Sequence, residues 1–402
     1  MSIQTLKQAF AASALLFAAS VAMASVTTGL DSLIADDFAP LEGKNVGLIT
    51  NHTGVDARGR SEAEIFAASD KFRLVALFSP EHGLFGKAEG GDHVSDSYYG
   101  PKHIPVYSLY GDTRKPTLEM LKNVDVLVFD IQDVGARFYT YLSTMGLAME
   151  EADRLGIPFF VLDRPNPLGG DIMEGPVLDP SLQSFISFFP VPVRHGMTAG
   201  EMALLEAATK KLNMTPEVIK VKGWKRAELY DATGLGWINP SPNIRDLDAA
   251  IFYPGIGCFE ATNISVGRGT DSPFHWFGAP WLDAKKLLAK LNAANIPGVK
   301  FSYEERKPSS DMYAGKLCRG IKMEITDRDA FRSLYVYVNV ICALRDMKVR
   351  DFEFIADGAK HMTGSADIEK LYKSGASAKT ILDAFGVSRR AFEKSRQPYL
   401  LY

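Results

Sequence analysis

VDVLVFDIQDVGAR, residues 124–137, opens as an almost unbroken apolar run and ends in a polar cluster around one glycine. A run so rich in Val, Leu, Ile and Phe leaves no face for water, so it reads as a strand buried on both sides, the habit of parallel sheets. Parallel strands require crossover connections of a dozen or more residues, usually helical. Working outward, NVGLIT (45–50), RLVALFS (73–79), IPVYSLY (104–110) and PFFVLD (158–163) repeat the pattern. Residues 61–69, 117–123 and 139–155 between them have helical periodicity. The expected fold is α/β, a doubly wound, mainly parallel sheet.

Each of these strands is followed by polar residues. Asn51-His52-Thr53-Gly54 follows the first, Pro80-Glu81-His82-Gly83 the second and Gly111-Asp112-Thr113-Arg114 the third. Gln132-Asp133-Val134-Gly135-Ala136-Arg137 follows the fourth and Arg164-Pro165-Asn166-Pro167 the fifth. Parallel strands point one way, so all five clusters emerge on one edge of the sheet, where open α/β folds bind ligands. Further on, residues 198–213 read as an amphipathic helix with Thr198 and Glu201 forming a capping box. Residues 237–246 and 259–273 are long polar loops studded with aromatics. From about residue 300, strand-like VKFSY and GIKMEIT and a helix over 329–346 form a second unit. The domain boundary is placed at 285/286, giving units 25–285 and 286–402.

Residues 1–24 stand apart. One lysine, an apolar run over 9–22 and Ala22-Met23-Ala24 read as a signal peptide cleaved before Ser25, so the protein is expected to be exported, periplasmic or secreted. No later run approaches the about 20 apolar residues of a membrane span, so none is expected. A net charge of −3 gives no basic surplus to gather phosphates, so nucleic acid is not an expected partner. Three scattered cysteines, Cys258, Cys318 and Cys342, fit neither a disulfide framework nor a CxxC metal site.

Several chemistries fail on their own signatures. The seven histidines include no HExxH pair, so no metal is expected. The run Gly255-Ile256-Gly257-Cys258-Phe259-Glu260 puts glutamate where a dinucleotide site needs its third glycine, so no cofactor is expected. A GxSxG nucleophile is absent. Carboxylate chemistry remains: cleaving a glycosidic bond needs a protonated acid at the leaving oxygen and usually a second carboxylate. Glu81 lies at the end of an apolar strand, where partial burial favours the protonated form. Its structural alternative is an ion pair with Lys87 or Arg137. Asp130, Asp133, Asp163 and Glu260 are the candidates for the second carboxylate, and the sequence does not rank them.

NHTG, SPEHGLFG, DIQDVGARFYTY, DRPNPLGG, PVRHGMTAGE, FEATNISVGRGTDSPF and GAPW together resemble the bacterial exo-β-N-acetylmuramidase family typified by NamZ, over about residues 29–402. The resemblance implies a Rossmann-like domain, a smaller α+β auxiliary domain closing a cleft, and Glu81 as the catalytic glutamate. It implies release of N-acetylmuramic acid from non-reducing ends of peptidoglycan-derived muramyl glycans. That sugar carries a lactyl carboxylate, an acetamido group and hydroxyls, which call for a cation, amide partners and an aromatic platform. Arg137, Arg164, Arg194 and Arg268 are candidate clamps; Asn51, Asn166, Asn243 and Asn263 candidate amides; Tyr139, Trp237 and Phe274 candidate platforms. His82 and His195 are expected to orient Glu81 or bind substrate, and His52 and Asp133 complete the expected site with Glu260. A non-catalytic wall-sugar binding protein and a metal-dependent hydrolase are the competing readings.

Overall fold

The computed structural model describes residues 26–355 and 358–402; the expected export signal lies outside the described residues. Its main sheet has seven strands in the order β3-β4-β2-β1-β5-β6-β9. These are β1 (Asn45–Thr50), β2 (Arg73–Ser79), β3 (Ser97–Tyr99), β4 (Ile104–Ser108), β5 (Val126–Asp130), β6 (Phe159–Leu162) and β9 (Glu217–Ile219). All five strands read from the sequence are present and pair in parallel; β3 alone runs antiparallel at the edge.

Alternation along the strands explains why the runs are apolar throughout. Val46, Leu48, Val126 and Val128 enter one core, while Ile49, Leu127, Phe129 and Val161 enter the other. With successive side chains on opposite faces, a sheet covered on both sides has no position left for a polar residue. Gly47 lets β1 pack closely: a Cβ there would lie 3.0 Å from the Leu127 side chain and 3.1 Å from that of Phe78, which would have to give way. The helices α1 (Gly29–Ala35), α2 (Glu62–Ala68), α3 (Leu118–Leu121), α4 (Tyr141–Leu155) and α5 (Ala199–Lys210) supply the crossovers and covers, α5 with the expected Thr198–Glu201 capping box.

The chain leaves β1 for β2 in one direction, while β5 leads to β6 in the other, so the topological switch point lies between β1 and β5. The second unit is an antiparallel sheet β10-β12-β11, with β11 at Val299–Arg306, covered by helices. Its first strand, β10 (Trp276–Ala279), lies N-terminal to the boundary expected at 285/286 and pairs with β12 (Cys318–Ile325). A four-residue buried strand among loop aromatics carries too little periodicity to separate it from the preceding loop. Among the described residues no helix is long and apolar enough to cross a membrane, and all three cysteines are free and buried.

Candidate active site

A cleft of about 900 Å³ opens where the loops after β2, β4 and β5 meet the loop over residues 260–271. Glu81, Tyr110, Thr140, Tyr253, Glu260 and Arg268 stand on its walls. Glu81 is held from several sides. The Thr140 hydroxyl donates to Oε2 at 2.6 Å and the Gly91 N–H to Oε1 at 3.0 Å. Tyr110 stands beside Glu81 on the same wall; burial, together with that carboxylate, pushes its phenol up to about 12. Thr140 precedes the first turn of α4, so the residue that orients the carboxyl is fixed to a helix.

Facing this group, the Arg268 Nε donates to Glu260 Oε1 at 2.6 Å, and the guanidinium lies over the Phe274 ring at 5.4 Å. Both partners are about a quarter exposed, 23% and 25%. Glu81 Oε1 and Arg268 Nη1 come within 3.7 and 3.6 Å of the point where a side chain on Gly90 would begin. Acid and cation therefore converge on one small region beneath the glycine-rich segment after Gly86.

The structure ranks the carboxylates that the sequence left level. Asp130 is fully buried in an ion pair with Arg164. Asp163 accepts from Thr198, Gly200 and Tyr402 at the start of α5, and burial raises it to about 6. Asp133 accepts from Gly135 N–H and lies 3.5 Å from His195. Only Glu260 of the four faces the cleft.

The expected clamps are sorted in the same way. Arg137 is buried, its guanidinium donates to the Ser187 hydroxyl and to the carbonyls of Pro176, Val191 and Met362, and it does not line the cleft. Arg164 pairs with Asp130 and Arg194 with Glu174. Of the four, Arg268 alone lines the cleft.

Other expected site residues lie behind the walls. Asn51 Oδ1 accepts from the N–H and hydroxyl of Thr53, closing its own turn. The Asn166 amide bridges Leu168 N–H and Met197 O. Asn263 binds the backbone at Asp351 and Glu353, whereas Asn243 does line the cleft. The Tyr139 ring packs against Tyr141 and Tyr253. His195 is fully buried beside Asp133 and accepts from Met197 N–H. His52 binds the Asn239 carbonyl, and burial pushes its imidazole down, so it stays neutral. His82 lies beneath the glycine-rich segment, with Nδ1 2.7 Å from the Ala88 carbonyl. Sequence reasoning missed Thr140, Tyr110 and Gly91. Thr140 and Tyr110 lie inside quoted stretches, but a hydroxyl at a strand or helix end carries no sign of what it will face.

Comparisons with known proteins bear on this geometry. The family model described as exo-β-N-acetylmuramidase NamZ, N-terminal, matches residues 46–248, and its C-terminal counterpart matches residues 251–402. The chain belongs to the NamZ exo-β-N-acetylmuramidase family. Within reach of this NamZ family assignment, the peptidoglycan β-N-acetylmuramidase NamZ of Bacillus subtilis (strain 168) is 43% identical over 378 residues, 94% of this chain and 91% of that protein. Crystal structures of two DUF1343 family proteins from Bacteroides fragilis NCTC 9343 share the fold. One has a TM-score of 0.87 at 37% identity, the other 0.76 at 30%, each over 94% of this chain and 99% of its own.

Proposed function

We propose that this enzyme is an exo-acting β-N-acetylmuramidase that releases N-acetylmuramic acid from non-reducing ends of peptidoglycan-derived glycans, with Glu81 as its general acid. The observation that carries the reading is the Glu81 carboxyl, oriented by Thr140 and Gly91 with Tyr110 beside it, on the wall of a cleft whose other side presents Glu260 and Arg268. As general acid, Glu81 hands a proton to the leaving oxygen as the glycosidic bond breaks. Arg268 is the cation for the lactyl carboxylate, prepositioned by Glu260 and Phe274. Glu260 is the second carboxylate, on the side where positive charge develops at the anomeric carbon.

The test is Glu81→Gln, assayed by N-acetylmuramic acid released from a chromogenic muramide. Activity is expected to fall by about 10²- to 10⁴-fold while the circular-dichroism melting curve stays unchanged. Undiminished turnover would remove Glu81 from the chemistry. Residues 1–24, as an export signal, would bring the enzyme to glycans outside the cytoplasm; a mature chain beginning at Ser25, seen by mass spectrometry, is the corresponding check.

A further inference from the structure

The polar edge of the sheet holds a second cavity, about 260 Å³, that shares no lining residue with the Glu81 cleft. It lies at the switch point between β1 and β5, beneath Thr53, Gln132 and Arg164 on the sheet side and Tyr230, Gly236 and Trp237 on the other. A crevice at a topological switch point is where open α/β sheets characteristically bind ligands, yet the carboxylate chemistry above uses none of it.

Two of its lining side chains, Gln132 and Trp237, carry a polar atom without a hydrogen-bond partner among the described residues. Gln132 is 5% exposed; its Nε2 donates to the carbonyls of Asp133 and Pro165, while Oε1 is buried without a partner among the described residues. The Trp237 Nε1–H is likewise buried and unpartnered. Both residues line the cavity, and a turn of either side chain would bring its unpartnered atom to a ligand group that can both give and receive, which is what hydroxyls do.

Charge narrows the ligand further. Arg164 is matched by Asp130 and Asp56 by Arg60, leaving no unbalanced cation to hold an anion. Asp31 and Asp56 on the rim would repel one. Tyr230 and Trp237, perpendicular with ring centroids 5.3 Å apart, add the apolar surface on which the C–H face of a sugar packs.

We propose that this cavity is a second ligand site and that it takes a neutral pyranose. The test is a calorimetric and saturation-transfer NMR titration of the purified protein with N-acetylglucosamine, with inorganic phosphate as the anionic control. Sugar binding is expected and phosphate binding is not. Trp237→Phe keeps a ring but removes the N–H, and should weaken the sugar about tenfold. Gly236→Leu places a side chain where no heavy atom lies within 4 Å of the new Cβ, and should abolish binding by filling the space. Three results would each overturn the proposal: no sugar binding, sugar binding indifferent to both substitutions, or phosphate bound in place of the sugar.

Discussion

His82 shows how one residue sets the acid next to it. Its backbone is left-handed, φ +70°, a conformation that costs a non-glycine residue roughly 1–2 kcal/mol. The hydrogen bond from its ring to the Ala88 carbonyl, worth about 0.5–1.5 kcal/mol, offsets most of that. The strained turn thus persists because the imidazole ties it to the glycine-rich segment, and that segment supplies the Gly91 N–H to Glu81. His82 is a positioning residue, and substitutions should rank by backbone tolerance as well as by side-chain chemistry. His82→Asn, at home in left-handed backbone and able to donate, should keep most of kcat. His82→Ala should lose about 10- to 100-fold, chiefly in kcat, and the β-branched His82→Val should lose more. Steady-state kinetics on the three variants decides it; equal loss in all of them would contradict a positioning role.

The elements were the most legible part of the chain. Runs such as VLVFD and NVGLIT announce buried strands because burial on both faces forbids polar positions, and the Thr198–Glu201 box announced α5 through its cap. What periodicity could not convey is the state of a polar residue placed inside an element. Glu206 on α5 is fully buried with both carboxyl oxygens unpartnered, and burial, aided by Glu150 and opposed by Lys210, pushes it up to about 7. Its folded value exceeds its unfolded one, so the folded chain holds a proton that the unfolded chain releases between about pH 4.5 and 7. Stability from this group is present below that window and lost as pH rises through it. Glu206→Gln should therefore match the parent at about pH 4 and exceed it at about pH 8 by roughly 2–3 kcal/mol. Urea denaturation at the two pH values measures the gap, and a gap of equal size at both would mean that Glu206 does not titrate in that range.

At the scale of the whole molecule, the sequence correctly brings five polar loops to one sheet edge but cannot say that they serve two cavities. Glu81, Tyr110 and Thr140 face one; Thr53, Gln132 and Arg164 face the other. Asn51, Asn166 and His195 line neither. That division depends on which donors the tertiary structure satisfies internally, and Arg137 is the clearest instance. It looks like an anion clamp, yet among the described residues no carboxylate pairs with it, and burial lowers its guanidinium to about 10. Its donors instead join carbonyls of Pro176 and Val191 to that of Met362, more than two hundred residues away, and Met362 itself lines the cleft. The planar fork reaches three acceptors at once, and a lysine ammonium on a flexible stem cannot. Arg137→Lys should leave buried carbonyls unmet and cost about 2–4 kcal/mol in urea denaturation. Because the tether also fixes one wall of the cleft, KM for a muramide should rise several-fold in the same variant. A loss below about 0.5 kcal/mol with KM unchanged would show that the C-terminal wall is held by its other contacts.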